Sequence, residues 1–218
     1  VGSEMCIRDR QWHFQIVHHD IWDYDNSSAP IVADLNKKKV VIQLTKQSYA
    51  FVFDRETGEP HWPIYEVEVP KSDVPGEWTS PTQPIPSLPE AYDRSGVSRD
   101  DLIDYTPEIS EAVDNLIKDF RLGPLYTPPS LADSADGTKG TLSLPFPTGG
   151  SNWEGGAYDP ETNFLYVPSQ TKLALLSLKD GGDATDIRYI ASPSPKLEVF
   201  GIPLAKPPWG RITAIDMN

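Results

Sequence analysis

From Trp12 onward, short apolar runs rich in β-branched and aromatic residues alternate with turn-forming residues, a pattern that predicts short strands rather than helices. Val40–Leu44 (VVIQL) and Tyr49–Phe53 (YAFVF) predict two strands, and Asp54–Gly58 (DRETG) predicts the turn that follows. In that turn Gly58 supplies a positive φ and the Asp54 carboxylate can accept backbone amides. Trp62 falls where the returning strand should pack. The same pattern recurs at Gly156–Asn163, followed by a strand at Phe164–Val167, and starts a third time at Ile212–Asp216. Repeated Asp-x-x-Thr-Gly/Asn turns between short strands suggest a repeat architecture such as a β-propeller, though hairpins of many β proteins share such turns.

Two stretches break this rhythm. Between Pro63 and Gly140 lies much of the proline, and Thr79–Pro89 (TSPTQPIPSLP) cannot form a central strand because each proline lacks a ladder amide. It is expected to run as an extended surface segment. One helix interrupts the stretch: Thr106 can cap, Pro107 suits the first helical position, and Ile109, Ala112, Val113, Leu116, Ile117 and Phe120 mark one face. Gly123-Pro124 is expected to stop it. Packing on the outside of the β body is the favoured reading of this helix over partner binding. A second loop-rich stretch runs from Lys179 to Pro208. Long excursions on a β scaffold are where such folds place ligand specificity.

Composition narrows the function classes. The chain has 218 residues, 38% hydrophobic and 23% charged, enough for a packed core. No run approaches the roughly 18 apolar residues of a membrane span. Nineteen Lys+Arg against 32 Asp+Glu give a net charge of −13, which argues against a nucleic-acid partner. The longest basic run, Lys37–Lys39, reads as a turn between strands. The single cysteine, Cys6, lies in Met5–Asp9 (MCIRD), a string that ATG TGT ATA AGA GAC encodes and that looks like the constant end of a sequencing adapter. Residues 1–10 are therefore read as adapter-derived rather than as an ordinary N-terminal extension. Without them no cysteine remains, so neither a disulfide framework nor a Cys metal site is expected. The chain stops within a strand entering a turn at Thr213–Asn218, so both ends read as cut and a missing signal peptide says nothing about location.

The densest reactive cluster is Trp12–Asp25 (WHFQIVHHDIWDYD), with three His, three Asp and two Trp. A metal site comes first to mind. However, His18 and His19 are adjacent and in a strand would point to opposite faces, so both cannot readily bind one ion. Neither His-Glu-x-x-His spacing nor a calcium loop is present. Asp23 and Asp25 would share a strand face, which could hold one hard cation or raise a carboxylate pKa. On spacing alone, a functional site and a buried polar network bracing a turn both fit.

The run WHFQIVHHDIWDYD closely resembles the segment that carries the catalytic aspartate in pyrroloquinoline quinone (PQQ)-dependent dehydrogenases, especially the glucose and quinate dehydrogenase branch. Further matches follow in family order: TKQSYAFVFDRETGEPHWP, TSPTQPIP, GPLYTPPS, GTLSLPFPTGGSNWEGGAYDPETNFLYVPS and KPPWGRITAID. They span residues 11–218. The turn from Asp54 to Trp62 resembles the tryptophan docking motif that ties neighbouring blades in this family.

The resemblance implies an all-β fold, part of an eight-bladed propeller with long loop insertions and one surface helix. It implies that Asp23 is the general base and that Lys46 contacts the quinone oxygens. Asn152 and Trp153 would lie near the cofactor, with Trp209 lining the same face. Asp23 and Asp25 would be the carboxylates beside the metal, which would be Ca²⁺ or Mg²⁺; in some methanol-oxidising relatives the position of Asp25 helps hold a lanthanide. The other metal ligands would come from earlier blades. For Lys46, the alternative is a solvated cation at a strand end. The implied activity is oxidation of glucose or a related sugar or polyol in the periplasm, with ubiquinone or cytochrome c accepting the electrons. A primary-alcohol or quinate dehydrogenase is the alternative, and a non-catalytic propeller scaffold the alternative from another class.

Overall fold

The computed structural model describes residues 9–218, so residues 1–8 of the run read as adapter-derived lie outside the described residues. The first sheet contains β1 (Ile31–Leu35), β2 (Lys38–Leu44) and β3 (Ala50–Asp54), antiparallel and in sequence order. Asn36 and Lys37, at φ 47° and 69°, make the tight turn between β1 and β2, with the handedness that matches strand twist. Only Lys37 of the expected basic turn lies in it; Lys38 and Lys39 already belong to β2.

β3 is buried on both faces, and its alternation divides it between two cores. Ala50 and Val52 join Leu35, Val40, Ile42 and Leu44. Phe51 and Phe53 instead pack with Ile16 and Trp12. The turn after β3 forms as its residues predict: Asp54 accepts the amides of Glu56 and Thr57, each at 2.9 Å, and Gly58 sits at φ +78° under the Trp12 ring. Trp62 is half-buried against the β1–β3 core.

Next come β4 (Ile64–Glu68) and β5 (Thr82–Pro86), an antiparallel ribbon. Here the extended surface segment expected at Thr79–Pro89 needs correction, because β5 is a paired strand with Gln83, Pro84 and Pro86 buried. The ladder tolerates the prolines because Ser87 N–H donates to Pro63 O and Val69 N–H to Pro81 O. Pro84 and Pro86 fall on the alternate positions, whose missing amides face away from β4.

Helix α1 (Pro107–Ile117) begins as predicted, with Thr106 Oγ1 accepting Ile109 N–H at 3.3 Å. Its apolar face closes a core containing Leu102, Ile103, Leu142 and Leu144. It ends at Ile117, earlier than Gly123-Pro124. The chain leaves the helix because Lys139 N–H donates to Asp119 O, and Arg121 N–H to Gly140 O, drawing the backbone into sheet-like pairing.

The remaining strands are β6 (Ser130–Leu131), β7 (Thr141–Ser143), β8 (Ala157–Asp159), β9 (Phe164–Gln170), β10 (Ala174–Asp180), β11 (Tyr189–Ala191), β12 (Glu198–Val199), β13 (Ile202–Pro203) and β14 (Gly210–Asp216). β14, β9 and β8 form an antiparallel sheet whose Leu165 and Val167 pack on the β1–β3 core. β10 pairs with β11, β7 and, in parallel, β6. The loop-rich stretch from Lys179 to Pro208 carries β11 and the small β12–β13 ribbon. Among the described residues the regular elements are mostly strands, in sheets that do not close on themselves. No helix among them is long and apolar enough to cross a membrane.

The close approach at Gly58 is testable. A Cβ there would lie 2.5 Å from Trp12, and the φ is positive, whereas a Cβ at Gly210 meets nothing within 4 Å. Gly58→Ala should lower stability by about 1–3 kcal/mol. Gly210→Ala should leave the urea midpoint of the purified protein nearly unchanged.

Candidate active site

Lys46 lies in a buried turn, Thr45–Ser48, between β2 and β3. Thr45 and Tyr49 bond across the turn, Ser48 takes φ 70°, and Tyr92 ties it down, its hydroxyl donating to Thr45 O at 2.7 Å and its amide to Ser48 O at 3.0 Å. The Lys46 side chain is only 7% exposed, so its ammonium must find protein acceptors. It donates to Asp25 Oδ1 at 2.7 Å and to the backbone oxygen of Asp23 at 2.8 Å, with Asp23 Oδ1 farther off at 3.5 Å.

The loop that carries both aspartates is not a strand, contrary to expectation. Asp20 accepts the amides of Trp22 (2.9 Å) and Tyr24 (2.6 Å), which a ladder would otherwise use, and Asp23 sits at φ 65°. Burial nevertheless alternates along Trp22–Asp25, because the two aromatics anchor inward. Trp22 Nε1 donates to Thr127 O at 3.0 Å, and the Tyr24 hydroxyl reaches Pro145 O at 2.9 Å. Both rings pack edge-on against Tyr126. Asp23 and Asp25 are left facing outward, their side chains 70% and 69% exposed.

The two carboxyls titrate apart. Partial desolvation, then a hydrogen bond with Asp25, raises the Asp23 pKa against the pull of Lys46. The hydrogen bond from Lys46 holds Asp25 below the ordinary carboxylate range. Asp25 is therefore the standing anion, and Asp23 the stronger base of the pair.

Glycines bring the Gly149–Trp153 segment against Lys46. Gly150 N–H donates to Lys46 O at 2.9 Å, and a Cβ on Gly149 would lie 2.7 Å from Lys46 Cα. Asn152 is adjacent, its carbonyl accepting from Ser28 Oγ, but its side chain is spent on Thr148 O and the Trp153 amide. Trp153 is 83% exposed. Trp209 lines a separate cleft of about 520 Å³ with Phe146, Gln170, Lys172 and Leu197. Among the described residues no hydrogen bond or ion pair joins Trp153 or Trp209 to Asp23, Asp25 or Lys46. The link between cleft and turn is through the backbone, where Gln170 N–H donates to Gly150 O.

His18 and His19 are not joint metal ligands: His18 pairs with Glu66, and His19, stacked on Trp78, pairs with Glu77, each at 3.0 Å. Among the described residues no three His, Cys, Asp or Glu side chains converge as a metal cluster. Asp23 and Asp25 offer the hard oxygens that Ca²⁺ or Mg²⁺ prefers, yet two carboxylates are a partial set for an ion that takes about six to eight oxygens. Lys46 suits a carbonyl or anionic oxygen, since one of its acceptors is long. The residues fit a metal and a quinone in chemical character, as part of a larger site.

Gln83 and Ser28 also brace this loop, Gln83 by bonding both backbone groups of His18, Ser28 by reaching Asn152. Nothing in their local sequence marks them, because their partners lie far along the chain. Asp20 carried a readable signal, an aspartate two residues before an amide it caps.

Residues 9–218 match the family model described as PQQ, Glucose/ethanol/alcohol dehydrogenase, beta-propeller domain. The chain is 29% identical to the Quinate/shikimate dehydrogenase (quinone) of Acinetobacter baylyi, over 95% of this chain and 28% of that protein. It is 31% identical to the Quinoprotein glucose dehydrogenase of Gluconobacter oxydans, over 95% of this chain and 29% of that protein. The chain thus spans less than a third of these curated relatives. Among solved structures, the quinohemoprotein alcohol dehydrogenase from Comamonas testosteroni aligns at a TM-score of 0.47 and 18% identity, over 94% of this chain and 25% of that one.

The asymmetry in burial sets an expectation for stability. Asp25→Ala strips the buried ammonium of its shortest acceptor and should cost about 1–3 kcal/mol. Lys46→Met removes the buried charge itself and leaves two exposed carboxylates and the Asp23 carbonyl, which neighbours those solvent-facing side chains, so it should cost less. Urea unfolding of the two variants compares them directly.

Proposed function

This chain belongs to the β-propeller domain family of PQQ-dependent glucose/ethanol/alcohol dehydrogenases, and on that premise we propose that it is part of a dehydrogenase oxidising glucose or a related sugar or polyol. The observation that carries the reading is the convergence of Asp23 and Asp25 on the buried Lys46. In this reading residues 11–218 form part of an eight-bladed propeller in a periplasmic protein, and electrons pass to ubiquinone or to a cytochrome c.

Asp23 is the general base. As the substrate carbon loses hydride, its hydroxyl must lose a proton, and the Asp23 carboxylate takes it. Its raised pKa makes it the better proton acceptor, while Asp25 stays ionised beside Lys46. Lys46 stabilises negative charge that grows on an oxygen placed before it. Asp23 and Asp25 are the residues that would hold a Ca²⁺, Mg²⁺ or lanthanide ion; Lys46, Asn152, Trp153 and Trp209 are those that would face PQQ. When bound, PQQ supplies the two-electron acceptor and the ion supplies Lewis acidity. Similarity to a quinate/shikimate and to a glucose relative is nearly equal, at 29% and 31%, so a quinate or alcohol substrate is the second reading.

Dye reduction by the full-length protein carrying this chain, supplied with PQQ and Ca²⁺, tests the proposal against glucose, quinate and ethanol. Turnover with none of them would point to a non-catalytic scaffold. Asp23→Asn should lower kcat by roughly 10²–10⁴-fold while PQQ still binds; an unchanged rate removes Asp23 from the chemistry. The rate should fall as pH drops through the Asp23 pKa, because the base must be ionised. Lys46 lowers that pKa, so Lys46→Gln should move the acid limb of kcat/KM to higher pH.

A further inference from the structure

We propose that Asp20 is a positioning residue, which fixes Lys46 and Asp23 by clamping the peptide group between Asp23 and Tyr24. Asp20 Oδ2 accepts the Tyr24 amide at 2.6 Å, and the carbonyl on the other side of that same peptide, Asp23 O, accepts from Lys46 Nζ at 2.8 Å. A trans peptide is planar, so its N–H and C=O point in opposite directions. A carboxylate at the donor end and an ammonium at the acceptor end therefore orient one dipole in the same sense, and both hydrogen bonds are charge-assisted.

The clamp also accounts for the backbone of Asp23. A non-glycine residue at φ 65° is uncommon, and although aspartate tolerates it better than most, two contacts of Asp20 select it here. Asp20 Oδ1 holds the Trp22 amide at 2.9 Å, just before Asp23, and Oδ2 holds the amide just after it. An Asx turn that merely shapes the loop needs only the Trp22 contact. The Tyr24 contact is the one that reaches Lys46. With the clamp gone, the peptide is free to rotate, the Asp23 carbonyl leaves Lys46, and the ammonium loses one of its two short acceptors.

The clamp rests on geometry alone; its value for turnover rests on the dehydrogenase reading above, so the test has two arms. The first is reductive methylation of lysines in the full-length protein, read by mass spectrometry, for wild type, Asp20→Ala and Asp20→Asn. Asn has the same size and keeps one acceptor, but its NH₂ faces the other amide. Lys46 should label slowly beside Lys39, whose side chain is 57% exposed. In both variants Lys46 labelling should accelerate roughly tenfold, the factor of one lost charge-assisted hydrogen bond, with Lys39 unchanged. Unchanged Lys46 labelling, a rise shared by all lysines, or an Asn variant that behaves like wild type overturns the clamp. The second arm is turnover, where kcat should fall roughly tenfold with little change in substrate KM if the clamp sets transition-state contacts. Faster labelling with wild-type kcat overturns the positioning role. If the wild type oxidises no substrate, the dehydrogenase reading fails while the labelling arm still decides the clamp.

Discussion

A buried ammonium needs acceptors, and much of this structure is organised around giving them to Lys46. The side chain cannot reach solvent as a surface lysine would, because Thr45–Ser48 is buried as a unit. Its acceptors come from one loop, Trp22–Asp25, and that loop is held in place by aromatic rings rather than by sheet pairing. If Trp22 and Tyr24 did not anchor inward, Asp23 and Asp25 would have no reason to face the same ammonium. Packing energy in the Trp22–Tyr24–Tyr126 cluster is thereby converted into the placement of charge.

Segments far apart in the chain meet on this loop, on the residues just before it and on the Lys46 turn, each through one or two specific contacts. The Gln83 amide bonds the backbone of His18 in both directions. Thr127 O receives the Trp22 indole, Pro145 O receives the Tyr24 hydroxyl, and Gly150 bonds the Lys46 carbonyl. Three of these partners lie in irregular, proline-bearing stretches. A proline-bearing segment is well suited to the task, because it is stiff and leaves carbonyls unclaimed by a ladder. The long excursions are thus structural members of the site as much as decoration on the sheets.

Local features were legible in the sequence, and the long-range ones were not. The Asp54–Gly58 turn, the α1 cap and the Gly156–Asn163 turn before β9 follow from residues within a few positions of one another, where periodicity and turn chemistry act. Strand β5 escaped because its prolines argue against pairing until the partner strand and its register are known. The end of α1 escaped for a similar reason, since it is set by residues 139–141 rather than by Gly123-Pro124. At the site, Asp23, Asp25 and Lys46 were singled out through family resemblance, and the structure brings the three together. The reason they meet was not legible: the geometry expected for Asp23 and Asp25 was a strand, and the alternation it predicted is produced instead by Asp20 and the buried aromatics.

Two carboxylates beside one ammonium could in principle behave alike, and a site needing one base and one standing anion would then work poorly. Lys46 breaks the symmetry by distance, 2.7 Å to Asp25 against 3.5 Å to Asp23. The nearer carboxylate gains the stronger stabilisation of its charged form and is driven to ionise first. Asp23 meets the ammonium mainly through its backbone oxygen, which carries no proton to lose, so its carboxyl is left to feel desolvation and the neighbouring anion. One lysine thus holds both residues while separating their proton affinities. Desolvation is the larger cause of the raised Asp23 pKa, and the division is widened because the Asp23 carbonyl, rather than its side chain, occupies the short contact to Lys46.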